Sequence, residues 1–430
     1  MDAQHIERLL TDRQIPDLLP VAEGWVLPHY EGLSIANLPA TIAALLGTNL
    51  PGSLPALPEE VWSEWLPGLR RVVLVILDAL GYRTLQRMSA VSEGQAFSLL
   101  AKAGRLIPIT SVFPSTTDAA LVSMSTGRPP AEHGWLAYTM YLRELGVAAN
   151  AILLSPAWTR RTDELLEWGL DSSHLIPIPR LAERLASVDV KTCAVFYAGF
   201  LDTGFSAMLY KGVTERRGHL LGSDLWVQLR QLLAETRGSR AFITVYWSGL
   251  DTLAHAYGPE TDHCKAEFHT LDYLLARQFL DSISAADREG TLLLITADHG
   301  QIHVPQEQIL SADHDPELSQ HLMVPIMGES RAAFVHPRPG RSRAIRDRLE
   351  ASYPNWFVVR DSVEVLEAGL FGKPIADETY ARAGELIVLP RGTRALQHTE
   401  PSVSLVGRHG GLTPEEMLVP FFGARMEALG

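Results

Sequence analysis

Three apolar stretches of this chain each run into an aspartate. "RVVLVILDAL" carries Asp78, "RAFITVYWSGLDTLAHAYGP" carries Asp251 with His255 four residues on, and "GTLLLITADHGQ" carries Asp298 followed directly by His299. A fourth segment, "VGRHGGLTPEEMLVPFFG", sets His409 between Arg408 and two glycines, on a loop where the backbone can approach closely. Carboxylates gathered at one place repel one another unless they share a proton or a cation, and imidazoles at matched positions favour the cation. Mixed Asp and His ligands suit zinc, and a pair of ions about 4 Å apart suits phosphoryl chemistry.

Each residue alone has an ordinary explanation. An Asp after a strand is commonly a turn or N-cap residue, Asp251 and His255 could form a solvated helix face, and "DHG" by itself is weak. The combination carries the chemistry, because three buried strands end in acids and two of them add a histidine. His263, His269, His303, His314, His321 and His336 are read as surface or satisfied polar residues.

The nucleophile for such a site is expected in "ITSVFPSTTDAALVSMSTGRPPAEHG", residues 109–134. Ser115, Thr116 and Thr117 follow Pro114 and precede a segment able to start a helix with a hydroxyl or Asp118 at its cap. Backbone N–H groups at a helix N-terminus favour a phosphate. A threonine alcohol is a weak nucleophile near neutral pH, and a metal ion that stabilises its alkoxide removes that defect. An N-cap role alone competes with this reading on local sequence.

These residues need elements that bring them together. "RVVLVILDAL" is continuous and β-branched, as in a strand buried on both faces, and Phe242–Trp247 and "TLLLIT" repeat the form. Helical periodicity lies between them, with Phe268, Leu271, Leu274, Leu275 and Phe279 on one stripe. Strands alternating with helices define an α/β fold, a mostly parallel central sheet with helices on both faces. Sites in such sheets lie beyond the carboxyl ends of the strands, so Asp78, Asp251 and Asp298 should converge on one edge. Residues 1–68 read as a Pro-rich, Trp-containing lead-in packed on the core, with a short helix around Ile42–Leu46. The core spans 69–304 and 401–430. Between them, 305–400 contains "RAAFVHPRPG", "RSRAIRDRLEASY", "NWFVVRD" and "GELIVLP", a small α/β insertion.

The chain has 430 residues, 46% of them hydrophobic, enough for a large core. A net charge of −13 argues against a broad DNA- or RNA-binding surface, which needs clustered Lys and Arg, and leaves room for a small anionic substrate. Cys193 and Cys264 form no disulfide framework and read as thiols in a reducing compartment. The first residues mix charges and sustain no apolar leader, and no run approaches the roughly 18 apolar residues of a membrane span, so a cytoplasmic location without membrane contact is expected.

The ordered set "VILDALG", "FPSTT…STGRPPAEHG", "DTLAHAYGP", "TADHG" and "RHGG" resembles the alkaline phosphatase superfamily, and within it the type I phosphodiesterase and nucleotide pyrophosphatase family. The likeness covers roughly residues 70 to 310 and returns at about 400 to 425. Asp251, His255, Tyr257, Gly258 and Pro259 match the family's Asp-x-x-x-His-x-Tyr-Gly-Pro signature. The resemblance implies two zinc ions, with Mn²⁺ as the substitute: one held by Asp251, His255 and His409, the other by Asp78, Asp298, His299 and the nucleophile oxygen. Counting back nine residues from Thr126-Gly127 makes Thr117 the nucleophile, with Thr116 second. It implies hydrolysis of phosphodiester or pyrophosphate bonds through a phospho-threonine, on a small phosphate-containing substrate such as a nucleotide, with the insertion as a cap. The resemblance also implies a phosphate-contacting Asn three residues beyond the nucleophile; here that position is Ala120, and backbone N–H groups, Asp118 or Arg128 are the candidate substitutes. A phosphomonoesterase or phosphomutase on the same scaffold, or a metal-stabilised binding protein without catalysis, are the alternatives. A sulfatase would need a Cys/Ser-x-Pro-x-Arg motif, which is missing at the nucleophile position.

Overall fold

In the computed structural model, which describes residues 2–14, 24–91, 96–399 and 405–429, the aspartate-ending strands lie side by side. Residues 15–23 of the expected lead-in and 401–404 at the return to the core fall outside the described residues. Strand Arg71–Leu77 lies between Ala241–Trp247 and Thr291–Thr296 and runs parallel to both. Every residue of Arg71–Leu77 and Thr291–Thr296 is buried, so both faces demand apolar side chains and the sequence shows no alternation. The register pairs Leu77 with Trp247 and Ile76 with Thr296. Asp78 and Asp298, each two residues past that last pair, therefore leave the sheet level with each other.

The full central sheet has seven strands, in the order Arg105–Thr110, Leu418–Arg425, Thr291–Thr296, Arg71–Leu77, Ala241–Trp247, Lys191–Tyr197 and Glu215–His219. Leu418–Arg425 is antiparallel to both of its neighbours, and the expected mostly parallel α/β sheet flanked by helices is the architecture found. Helix Asp262–Leu274, continued by a π-turn at Leu275–Phe279, buries Phe268, Leu271, Leu275 and Phe279 of the expected stripe. In the N-terminal region the helix spans Leu38–Leu45, beginning earlier than the expected Ile42. Ser34 and Asn37 cap the preceding turn and Pro39 sits in the first helical turn, where its missing N–H costs nothing.

The span 305–400 forms strands and helices where its patterns place them: Ala332–Val335, Ser342–Ser352, Phe357–Asp361 and Leu386–Pro390. Its sheet does not stop at its own boundary. A seven-stranded sheet runs in the order Phe357–Asp361, Leu386–Pro390, Ala332–Val335, Met327–Glu329, Thr139–Leu142, Val147–Asn150 and Ser155–Pro156, so three strands from residues 139–156 complete it. The junction is the pairing of Gly328 with Thr139, a long-range contact that strand patterning cannot foresee.

The same span is also tied to the loop after His409. Arg331 donates to both carboxylate oxygens of Glu416, at 3.1 and 2.9 Å, with both side chains fully buried. Glu416 in turn accepts from the backbone of Gly411 and the hydroxyl of Thr413. Removing one partner of such a pair leaves a buried charge uncompensated, at a cost of about 3–5 kcal/mol. Arg331→Met is therefore expected to lower the unfolding free energy by that amount, read in urea unfolding as a lower midpoint at unchanged slope.

Candidate active site

The site is built from buried carboxylates with half of their oxygens accounted for. Asp298 Oδ1 accepts the backbone N–H groups of Ala79 at 3.2 Å and His299 at 2.9 Å. Asp78 Oδ2 accepts the hydroxyl of Tyr246. Asp78 Oδ1 and Asp298 Oδ2 are buried with no partner. Burial, and then the charges of Asp298 and Asp251, push the Asp78 carboxyl well above the usual range, and burial raises Asp251 as well. Ala79 adopts the left-handed conformation, φ 61°, which turns the chain immediately after Asp78.

The three histidines are oriented by backbone carbonyls. Nδ1 of His255 donates to Gly407 O at 2.8 Å, Nδ1 of His409 to Ser115 O at 3.1 Å, and Nδ1 of His299 to Gly300 O at 3.0 Å. A carbonyl can only accept, so Nδ1 carries a proton, and in the neutral imidazole each Nε2 then offers a lone pair to the site. Nε2 of His255 lies 3.3 Å from Asp251 Oδ1, and Nε2 of His299 lies 3.5 Å from Asp78 Oδ1 and 3.7 Å from Asp298 Oδ2. The Nε2 atoms of His255 and His409 stand 3.2 Å apart. Two facing lone pairs at that distance repel unless a proton or cation lies among them. Burial and the imidazoles of His299 and His255 hold His409 well below the ordinary histidine range, in its neutral ligand form.

Two groups among these residues could hold a metal ion: Asp251, His255 and His409, and Asp78, Asp251 and His299, with ligand atoms in each group within 4.8 Å of one another. The unpartnered carboxylate oxygens and converging Nε2 atoms are the donor set a divalent ion requires. Asp251 belongs to both groups, and its Oδ1 also accepts Gln301 Nε2 at 3.1 Å.

Thr117 joins the same cluster. It is the first residue of helix Thr117–Thr126, which ends at Gly127 in the left-handed conformation. Its Oγ1 lies 3.1 Å from His299 Nε2. Thr116 is the N-cap, but its hydroxyl donates to Glu329 Oε1 at 2.7 Å instead of capping the helix. Of the candidate substitutes for an Asn near the phosphate, Arg128 is committed elsewhere, to Glu132 and the Pro51 carbonyl. Ala120 is fully buried in the apolar core. Asp118 is buried beside the helix start, and burial pushes its carboxyl up to about 7.

Three residues near the site carried no signal in the sequence. Tyr246 and Gln301 look like ordinary residues of a strand and a loop. Glu329 comes from the span 305–400 and accepts both Thr116 Oγ1 and the Tyr138 N–H, and burial, then the charge of Asp118, push its carboxyl up to about 8. The glycine of "TADHG" is dictated by contact. A Cβ on Gly300 would lie 1.9 Å from the Glu415 carbonyl oxygen and 2.9 Å from Gly81 Cα.

A family model for type I phosphodiesterases and nucleotide pyrophosphatases matches residues 72–412. The chain belongs to that family, a family of metal-dependent enzymes that hydrolyse phosphoester bonds. Its fold is similar to that of an inactive form of murine ectonucleotide pyrophosphatase/phosphodiesterase 5 in complex with AMP, with TM-score 0.63, 17% identity and coverage of 83% of this chain and 88% of that one. The human ectonucleotide pyrophosphatase/phosphodiesterase 5 gives TM-score 0.61 and 18% identity over 82% and 87%. Phosphonoacetate hydrolase from Sinorhizobium meliloti 1021, in complex with phosphonoformate, gives 0.62 and 18% over 84% and 95%. At these identities the likeness is one of fold. No curated protein matches the chain. Among the described residues no helix is long and apolar enough to cross a membrane.

Because the atoms facing Gly300 are backbone, they cannot swing away, and overpacking of this kind costs about 1–3 kcal/mol. Gly300→Ala is expected to lower the thermal midpoint accordingly; an unchanged midpoint would show that the loop at Glu415 yields freely.

Proposed function

We propose that this protein hydrolyses phosphodiester or pyrophosphate bonds of a small phosphate-containing substrate, such as a nucleotide, through a phospho-threonine at a two-zinc site. The observation that carries the proposal is the placement of Thr117 Oγ1 3.1 Å from His299 Nε2, inside a cluster where Asp78 Oδ1 and Asp298 Oδ2 lack partners and the Asp and His ligand atoms of two groups converge. Asp251, His255 and His409 would hold one ion, and Asp78, Asp298 and His299, with Thr117, the other. Zinc suits the mixed Asp and His set, and Mn²⁺ is the alternative occupant. When bound, such ions supply positive charge that favours a threonine alkoxide and stabilises a leaving oxygen.

The chain's own residues do the rest. Thr117 Oγ attacks phosphorus in line with the departing oxygen, and the new P–O bond forms as the bond to the leaving group breaks. Water then attacks the phospho-threonine from the opposite side and releases phosphate or a monoester, restoring Thr117. The start of helix Thr117–Thr126 positions the nucleophile and directs backbone N–H groups toward the phosphate. The carbonyls of Ser115, Gly300 and Gly407 hold the imidazoles in one tautomer, so no reorganisation is needed as charge develops. The inserted span, 305–400, is read as the cap over this site, a reading supported by the reach of Glu329 to Thr116.

The test uses purified protein, with zinc or manganese restored, on bis-p-nitrophenyl phosphate, p-nitrophenyl phosphate and a p-nitrophenyl nucleotide ester. Turnover of diesters is expected, reduced about 10³-fold or more in Thr117→Ala. Metal analysis is expected to give two ions per chain, with loss of binding in Asp251→Asn. Selective monoester turnover would move the assignment to a phosphatase. Silence on all three substrates with both ions bound would point to a metal-stabilised binding protein or to an enzyme of very narrow substrate range.

A further inference from the structure

One buried arginine differs from the others. Arg71, Arg180, Arg331 and Arg382 are between 1% and 3% exposed, and each guanidinium is held. Arg71 donates to the carbonyls of Leu233, Asp287 and Glu289, and Arg180 to those of Ile176, Ile178 and Met208. Arg331 pairs with Glu416, and Arg382 with Glu144 and the Gly134 carbonyl. Arg408 is 5% exposed, yet its side chain makes no hydrogen bond or ion pair among the described residues; its Nε, like that of Arg382, is buried without a partner, and its terminal nitrogens reach the residual solvent-exposed surface.

A guanidinium stays charged inside a protein, and burying an unpaired ion costs several kcal/mol. An anion arriving beside such a residue would supply the partner it lacks. The groups in electrostatic range are Arg331 and Glu329, and on the site's side His409. Arg331 is already matched by Glu416, and Glu329 is engaged by Thr116 and Tyr138. Neither supplies Arg408 with a hydrogen-bonding partner.

Its position adds the second part of the case. Arg408 pairs with Ile302 in a short antiparallel ribbon, and the next residue is His409 of the candidate active site. The turn after it is packed directly on Glu329, since a Cβ on Gly410 would meet Glu329 Cβ at 2.5 Å. The unpaired guanidinium therefore lies at the seam between the histidine cluster and the inserted span that reaches the nucleophile helix.

We propose that Arg408 binds a second phosphoryl group of the substrate, one bonded beyond the phosphorus that is attacked, and so selects pyrophosphate-type substrates over simple diesters. A planar guanidinium matches two phosphoryl oxygens at once, which a single ammonium cannot. This rests on the phosphoester-hydrolase reading above.

The experiment compares dithymidine pyrophosphate with the p-nitrophenyl ester of thymidine monophosphate, which has the same nucleoside and one phosphate. In Arg408→Gln, kcat/KM on the pyrophosphate is expected to fall at least tenfold more than on the ester, chiefly through KM, with partial recovery in Arg408→Lys. Arg408→Met is expected to keep or raise the thermal midpoint, because an unpaired buried charge is removed. An equal fall on both substrates, or a midpoint several degrees lower, would overturn the proposal in favour of a packing role beside His409. No fall on either would overturn it outright. A wild-type enzyme inactive on both substrates is a different result, the failure of the phosphoester reading itself.

Discussion

The electrostatic cost of gathering carboxylates at one edge of a buried sheet governs this structure. Asp78 and Asp298 could each be an innocuous turn residue, but parallel register brings them level and burial removes the water that would screen them, while Asp251 joins them half-buried from the first turn of helix Gly249–Tyr257. Backbone N–H groups and the Tyr246 hydroxyl satisfy one oxygen of Asp298 and one of Asp78 and leave the opposing oxygens bare. An arrangement of that kind persists only if something positive completes it. The opposed Nε2 atoms of His255 and His409 make the same demand from the imidazole side.

Much of the surrounding architecture fixes the direction in which those donors point. Carbonyls from three separate segments, at Ser115, Gly300 and Gly407, hold the three imidazoles. Two of those segments are glycines in tight quarters. A Cβ on Gly300 would meet the Glu415 carbonyl, and one on Gly407 would lie 2.2 Å from the carbonyl of Ala254. The span 305–400 is bound into the same construction by the Arg331–Glu416 pair and by Glu329, which accepts the hydroxyl of Thr116 that would otherwise cap the helix. A change in residues 305–400 is thereby coupled to helix Thr117–Thr126 through only a few bonds.

The strands and the family were legible because their signals are local. Continuous β-branched runs report burial on both faces, and the motifs "TADHG", "DTLAHAYGP" and "RHGG" keep their residues within a turn of one another. The choice between Thr116 and Thr117 rested on counting within a resemblance, and the packing shows the physical difference between them: one hydroxyl turns to Glu329, the other to His299. Arg128 was a plausible phosphate ligand by type and position, but Glu132 and the Pro51 carbonyl occupy it. Tyr246, Gln301 and Glu329 were silent because each acts on a residue far along the chain, Glu329 across more than 200 positions. For the same reason the inserted span looked self-contained, although its sheet is finished by strands between Thr139 and Pro156.

The sequence by itself determined the α/β class, the parallel strands that end in acids and the family of phosphoester hydrolases to which the chain belongs. These follow from residue type and short spacing, which survive without knowledge of what packs on what. Only the tertiary structure decided which oxygens are left without partners, which nitrogen each imidazole presents, and which buried arginine goes unmatched. Those properties depend on distances of 3 to 4 Å between groups brought together by strand register and loop closure, and no local pattern in the chain encodes them.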